Sequence, residues 1–143
     1  YIEKRFNDII KEKKYEIPKI ENQLNRVLLY ISFFEKPQQV LKIYNEELYP
    51  FQNLKRNDKV IVYGAGRFGV RVVNYLYETG FCTIIAWCDR TTKNKIITIG
   101  DALQYSFDKI IIAVLLADVA EEIEQMLLKQ KVEKYKICRL RIM

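Results

Sequence analysis

The 143-residue sequence contains no histidine. That absence excludes Ser-His and Cys-His nucleophilic pairs, histidine-ligated zinc and histidine proton shuttles from this segment. Cysteine is scarce. Cys82, Cys88 and Cys138 are odd in number and show no C-x-x-C spacing, so they read as small core residues in a reducing compartment, not as disulfides or metal ligands. No apolar run approaches the roughly 18 residues that span a bilayer, and no signal peptide opens the chain, so a cytoplasmic protein without a membrane span is expected. The chain begins at Tyr1 instead of methionine, as expected of a domain belonging to a longer protein. Blocks of like charge are also missing. The net charge of +6 is spread evenly, with 12 basic and 9 acidic residues in 1–59 and the same numbers in 60–143, so no nucleic-acid arm stands out. There are no internal repeats or low-complexity tracts.

What the chain does have is apolar residues, half of the total, enough to exclude wholesale disorder. At this length it can bury roughly two-thirds of its unfolded surface. The most informative stretch is Lys59 to Gly69, KVIVYGAGRFG. Val60 to Tyr63 form an unbroken apolar run, as in a parallel strand buried on both faces. The run leads into Gly64-x-Gly66-x-x-Gly69, and Val70 to Glu78 follow with helical spacing. In a dinucleotide-binding turn, Gly64 permits the tight turn, Gly66 lets backbone approach a pyrophosphate, and Gly69 lets helix and strand pack closely. The helix N-terminus then faces the phosphates. With five glycines in 143 residues, roughly 0.006 such matches arise by chance, and this one lies in the strand–turn–helix context that the motif needs.

A second strand, Thr83 to Trp87, ends at Asp89, 20 residues past Gly69, where a carboxylate accepts from ribose hydroxyls. Arg90 beside it suits a 2′-phosphate or a diphosphate, and Lys93 and Lys95 extend the basic rim. Arg67, inside the turn, is placed to approach a phosphate or to cover the first helical turn. Trp87 reads as a core aromatic near the sheet edge, with stacking on a base as the alternative. Tyr105-x-x-x-Lys109 has the spacing of a catalytic tyrosine–lysine pair. About one such pair arises by chance, as does Tyr15/Lys19, and Lys109 opens a strand, which breaks the helical face that the chemistry needs. No catalytic residue and no metal ligand is assigned.

Residues 1–56 read as helices. One carries Ile2, Phe6, Ile9 and Ile10 and ends at Lys13, Lys14 and Pro18. A second carries Ile20, Leu24, Val27, Leu28, Ile31 and Phe34 and breaks at Pro37. A third, with Val40, Leu41, Tyr44 and Leu48 on one side, stops near Pro50. Gln52 to Asp58 is a polar connector, dividing a helical segment, 1–56, from an α/β domain, 57–143. The helical stripe is expected to pack on the domain, on the rest of the parent protein, or on a second copy in a homodimer.

From Lys59 a βαβ rhythm takes over. The first helix runs Arg67 to Thr79 with Val70, Val73 and Tyr77 toward the sheet and Gly80 as its left-handed cap. Next come a strand at Cys82 to Cys88, a basic loop at 90–95, a short strand at Ile96 to Ile99, and one helical turn capped by Asp101. A buried strand at Lys109 to Val114 follows, then a helix to Lys131 opened by a capping box, Asp118-x-x-Glu121. Tyr135 to Leu140 is the final strand. The expected fold is α/β: a small Rossmann-like parallel sheet of four or five strands preceded by the helical segment.

The runs VIVYGAGRFG, AWCDR, FDKIIIAV and KICRL together resemble a small Rossmann-like domain of bacterial polysaccharide biosynthesis proteins. The stretch 58–140 is similar to the N-terminal nucleotide-sugar-binding domain of sugar acyltransferases, to the domain ahead of nucleotide-sugar dehydratases, and to domains appended to glycosyltransferases. The resemblance implies a phosphate loop at Gly64, Ala65, Gly66, Arg67, Phe68 and Gly69. It also implies a ribose- or base-reading acid at Asp89 with Arg90 beside it, and a base pocket at Ala113, Val114 and Leu115. The acyltransferases also carry a general-base histidine, which this chain lacks, so acyl transfer does not carry over. The expectation is an accessory domain binding a nucleotide-containing small molecule, a nucleotide-sugar such as a UDP-sugar. The alternatives are the NAD(P)-binding part of an oxidoreductase or dehydratase, and a protein-interaction module with a vestigial pocket.

Overall fold

The structure, a computed structural model, describes Leu24, Leu28 and residues 41–140. The helices expected before residue 40, and with them the Tyr15/Lys19 pair, lie outside the described residues. Leu24 and Leu28 are helical, with 54% and 52% of their surface exposed.

The body is a five-stranded parallel sheet. Strands β3 (Lys59–Tyr63), β4 (Thr83–Cys88), β5 (Ile96–Ile97), β6 (Lys109–Ile112) and β7 (Ile137–Cys138) lie in the order β5-β4-β3-β6-β7. Strand order reverses between β3 and β6, which pair directly. An open α/β sheet leaves a crevice at such a point, beyond the strands' carboxyl ends. Beyond their first residues, Lys59, Thr83 and Lys109, the three longest strands are apolar because both faces are covered. Val60, Val62 and Ile111 face one core, and Ile61, Tyr63, Ile110 and Ile112 face the other, the two-residue alternation of a strand.

The first core is built with α1 (Arg67–Thr79). Its buried residues are Phe68, Gly69, Val72, Val73 and Leu76. Val70 and Tyr77, expected to face the sheet, are 38% and 69% exposed. Only Val73 of the expected trio is inward, because the buried stripe is centred on residues 69, 72, 73 and 76. Gly80 ends α1 at φ 64°, donating its N–H to Leu76, as its sequence context implies. The second core is covered by α2 (Ile99–Ala102) and α3 (Ala117–Lys129), the latter burying Ala120, Ile123 and Leu127.

Residues 41–49 correct the sequence reading. The expected third helix is an antiparallel β-hairpin, β1 (Lys42–Tyr44) with β2 (Glu47–Tyr49). Asn45 and Glu46 both have positive φ, 51° and 64°, so the two-residue loop has the mirror-image geometry that matches strand twist. Leu41, Leu48, Phe51 and Leu54 are buried in the α1-side core, and the Phe51 and Phe68 rings stack with centroids 6.2 Å apart. The stretch read as the end of a separate helical segment and a polar connector is thus packed against the sheet domain. Each such apolar side chain contributes about 1.5–3 kcal/mol by burial.

Three further boundaries differ. Thr98, not Asp101, caps α2, its Oγ1 accepting from the Asp101 N–H at 3.1 Å. The capping box does not form: Leu116 is the N-cap of α3, Asp118 lies in its first turn, and Glu121 pairs with Arg139. The last strand is short, with a 3-10 turn at Lys134–Lys136 ahead of β7. All three cysteines are buried and free, as expected of core residues, and burial pushes each thiol up to about 12. Among the described residues, no helix is long and apolar enough to cross a membrane.

Candidate functional site

At the switch point the turn from β3 to α1 is fixed by three devices. Gly64 has φ 127°, and a Cβ there would lie 2.7 Å from the Ala113 carbonyl oxygen. A Cβ on Gly69 would come within 2.0 Å of the Gly64 carbonyl oxygen. Both glycines are therefore demanded by the chain's own packing. Trp87 supplies the third device, donating its indole N–H to the Gly64 carbonyl at 2.7 Å. It is a structural clamp on the turn, half-buried against the α1-side core.

Gly66 is different. Its backbone is ordinary extended chain at φ −73°, and a Cβ would meet nothing within 4 Å. It caps α1 with no side chain to accept from the first turn, and no acid stands in that turn. Arg67 opens the helix instead, a cation at the positive end of the dipole, where it is unfavourable unless an anion is near.

A cleft of about 340 Å³ opens here. It collects nine of the eleven residues expected from the sequence: Gly64, Gly66, Arg67 and Phe68 from the turn, Asp89 and Arg90 after β4, and Ala113, Val114 and Leu115 after β6. Gly69 is buried behind the turn, and Ala65 does not line the cleft. Leu116, Val119 and Ile123 of the α3 arm form its apolar wall.

Asp89 has a role that its position in the sequence did not reveal. Its Oδ2 accepts from the Ala65 N–H at 2.6 Å, and its Oδ1 from the Arg90 N–H at 2.6 Å. One N–H of the glycine turn is therefore already used internally. Each oxygen has accepted one hydrogen bond, and carboxylate oxygens have about two lone-pair sites apiece. Arg90 reaches across to Glu122 of α3 (Nη2 to Oε2, 3.4 Å), with both side chains largely exposed. Tyr63, the last residue of β3, lines the same cleft beside Asp89 and Arg90. Burial and the Asp89 charge hold its phenol above the usual tyrosine value, and Arg90 pulls in the opposite direction.

A second cavity of about 400 Å³ adjoins the first, sharing Tyr63, Asp89, Arg90 and Ile123. Its other lining includes Thr98, Ile99, Glu122, Met126 and Gln130. The sequence reading did not place these residues or Tyr63 in a site. The spacing 119, 122, 123, 126, 130 along α3 is one helical face, and Tyr63 stands at the carboxyl end of the central strand, so both were findable by position. Lys93 and Lys95 are exposed on the loop beyond. Tyr105 and Lys109 form no site: Tyr105 is exposed, and Lys109 opens β6 with its ammonium bonded to the Asn53 carbonyl and Asp58.

No curated protein matches the sequence. The family model of the C2185-like N-terminal domain matches residues 56–138, more than half of the chain, taking in every strand of the parallel sheet and both cavities. The chain belongs to the C2185-like N-terminal family.

Proposed function

We propose that this domain binds a nucleotide, free or as a nucleotide-sugar, and serves as an accessory unit of a glycosyltransferase-like protein of polysaccharide biosynthesis. Gly66 carries the reading. The fold itself accounts for Gly64 and Gly69 but makes no demand at 66. A group from outside that presses against the backbone there does make one, and a phosphate at a helix N-terminus is such a group. Arg67 and Arg90 line the same cleft, whose one carboxylate, Asp89, already accepts two main-chain hydrogen bonds. The balance favours an anion. Asp89 then faces the ribose, and Ala113 to Leu115 line the base pocket that the resemblance implies. The polysaccharide setting rests on the resemblance of residues 58–140.

A thermal-shift and calorimetric panel on the whole chain tests the reading, with NAD, NADP, UDP-glucose and the four nucleoside diphosphates as probes. A response to one or more nucleoside diphosphates or the nucleotide-sugar supports it. A response to NAD or NADP alone moves the assignment to the cofactor-binding part of an oxidoreductase or dehydratase. Silence across the panel overturns nucleotide binding.

A further inference from the structure

We propose that Trp87 and Asp89 are positioning residues for the phosphate: together they hold the Gly64–Ala65 peptide in one orientation and so aim the amides of Gly66 and Arg67 into the cleft. The inference rests on the nucleotide reading above and adds how the turn is made ready for its ligand.

Both side chains grip a single peptide unit. Trp87 donates its indole N–H to the Gly64 carbonyl at 2.7 Å, and Asp89 Oδ2 accepts the Ala65 N–H at 2.6 Å. A peptide group is planar, so fixing its oxygen and its hydrogen fixes the plane. The pair act together because residues two apart on extended chain share a face. Cys88, between them, completes the grip through the main chain, its carbonyl accepting from the Gly64 N–H at 2.9 Å. Asp89 is itself locked, since its Oδ1 accepts from the Arg90 N–H at 2.6 Å.

The grip matters because of what lies on either side of it. Gly64 is wedged against the Ala113 carbonyl, whereas a Cβ on Gly66 would meet nothing within 4 Å. Gly66 and Arg67, which line the cleft, therefore follow directly on a peptide that packing fixes at one end and the Asp89 carboxylate at the other. Groups that meet a ligand bind it best when a supporting layer already holds them in place. Charge alone acts the other way, because a carboxylate beside a phosphate repels it. Positioning and repulsion have opposite signs, so a substitution decides which dominates.

The test is calorimetry on the full chain with ADP, GDP, CDP and UDP, each also in its 2′,3′-dideoxy form, on the wild type, Asp89→Ala, Asp89→Asn and Trp87→Phe. A dideoxy nucleotide offers Asp89 no ribose hydroxyl, so its affinity reports the phosphate end. In Asp89→Ala the dideoxy form should bind about tenfold more weakly, the scale of a hydrogen bond to a charged group. Asp89→Asn keeps an oxygen for the Ala65 N–H and should fall between Asp89→Ala and the wild type. Trp87→Phe, which releases the other end of the same peptide, should weaken the dideoxy form as well. Emission from Trp87, the single tryptophan of the chain, should change in ligand-free Asp89→Ala as the peptide it grips turns. A residue that only steadied the fold would lower the melting temperature and leave the affinity of the folded protein unchanged. Dideoxy affinity at or above the wild-type value in the Asp89 variants, with the loss confined to ribonucleotides, overturns this inference and leaves the nucleotide reading standing. So does a wild type that binds ribonucleotides alone. If Asp89→Ala does not fold, Asp89→Asn decides on the same criterion. Should none of the eight compounds bind the wild type, both readings fall.

Discussion

Replacing Gly66 by valine separates the demands of the fold from those of a ligand. The added Cβ meets nothing within 4 Å, and the backbone at φ −73° is open to any residue. Valine is a poorer N-cap than glycine, by several tenths of a kcal/mol. Restricting the unfolded chain offsets this by about 0.4–1 kcal/mol. The net change is within about 0.5 kcal/mol, or roughly 2 °C in Tm for a chain of this length. The ligand effect is much larger. A nucleotide at one hundred times its Kd stabilises the wild type by about 2.7 kcal/mol, near 9 °C. In Gly66→Val that shift should vanish, because the valine methyls occupy the space that the phosphate needs. Paired melting curves with and without ADP, GDP, CDP, UDP, UDP-glucose and NAD provide the assay. Two results refute the reasoning. A variant that melts several degrees low shows that the fold does need glycine there, and one that keeps the full nucleotide shift shows that nothing approaches Gly66.

Gly69→Ala should abolish cooperative folding, since its Cβ falls 2.0 Å from the Gly64 carbonyl oxygen; far-UV and near-UV circular dichroism will report it. Trp87→Phe removes the donor to the Gly64 carbonyl and should cost about 1–3 kcal/mol in urea denaturation, with the turn loosened. Phe51→Ala should cost about 3–5 kcal/mol, which shows that the hairpin segment belongs to the sheet domain; a loss under 1 kcal/mol would argue against it. The three buried thiols, pushed up to about 12 by burial, should be silent to a thiol reagent at pH 8 and react only on unfolding. Their folded values stand above the unfolded value near 9, so their stabilising contribution is complete below pH 9 and falls as pH rises beyond it.

Much of the fold was legible because the central elements carry unmistakable periodicity. Val60–Tyr63 is apolar at every position because two cores need it, and α1 begins and ends at the residues that the glycines mark. The hairpin was not legible by the same rule. Val40, Leu41, Tyr44 and Leu48 fit a helical stripe, yet Asn45 and Glu46 in left-handed conformation turn the chain after three residues. Asparagine's tolerance of that conformation was the signal available. The capping box at Asp118 did not form because the helix starts earlier, with Leu116 as its N-cap and Asp118 inside its first turn. Sites followed the same division. The glycine turn, Asp89 and Arg90 were local patterns, and the structure gathers them into one cleft. Tyr63, Ile99, Glu122 and Met126 converge only after α2 and α3 take their places, which no spacing along the chain specifies.

The short bridge between Phe51 and Leu140, reinforced by the Gln52 N–H donating to the Arg139 carbonyl at 2.8 Å, closes one flank of the sheet. On the opposite flank β5 is only two residues long. A run of unpaired main-chain groups on an outer strand is what recruits foreign strands and seeds aggregates. Both outer strands of this sheet, β5 and β7, are only two residues long. A domain rich in isoleucine and valine therefore presents short edges to edge-to-edge polymerisation, the entering segment closing over the chain just beyond β7.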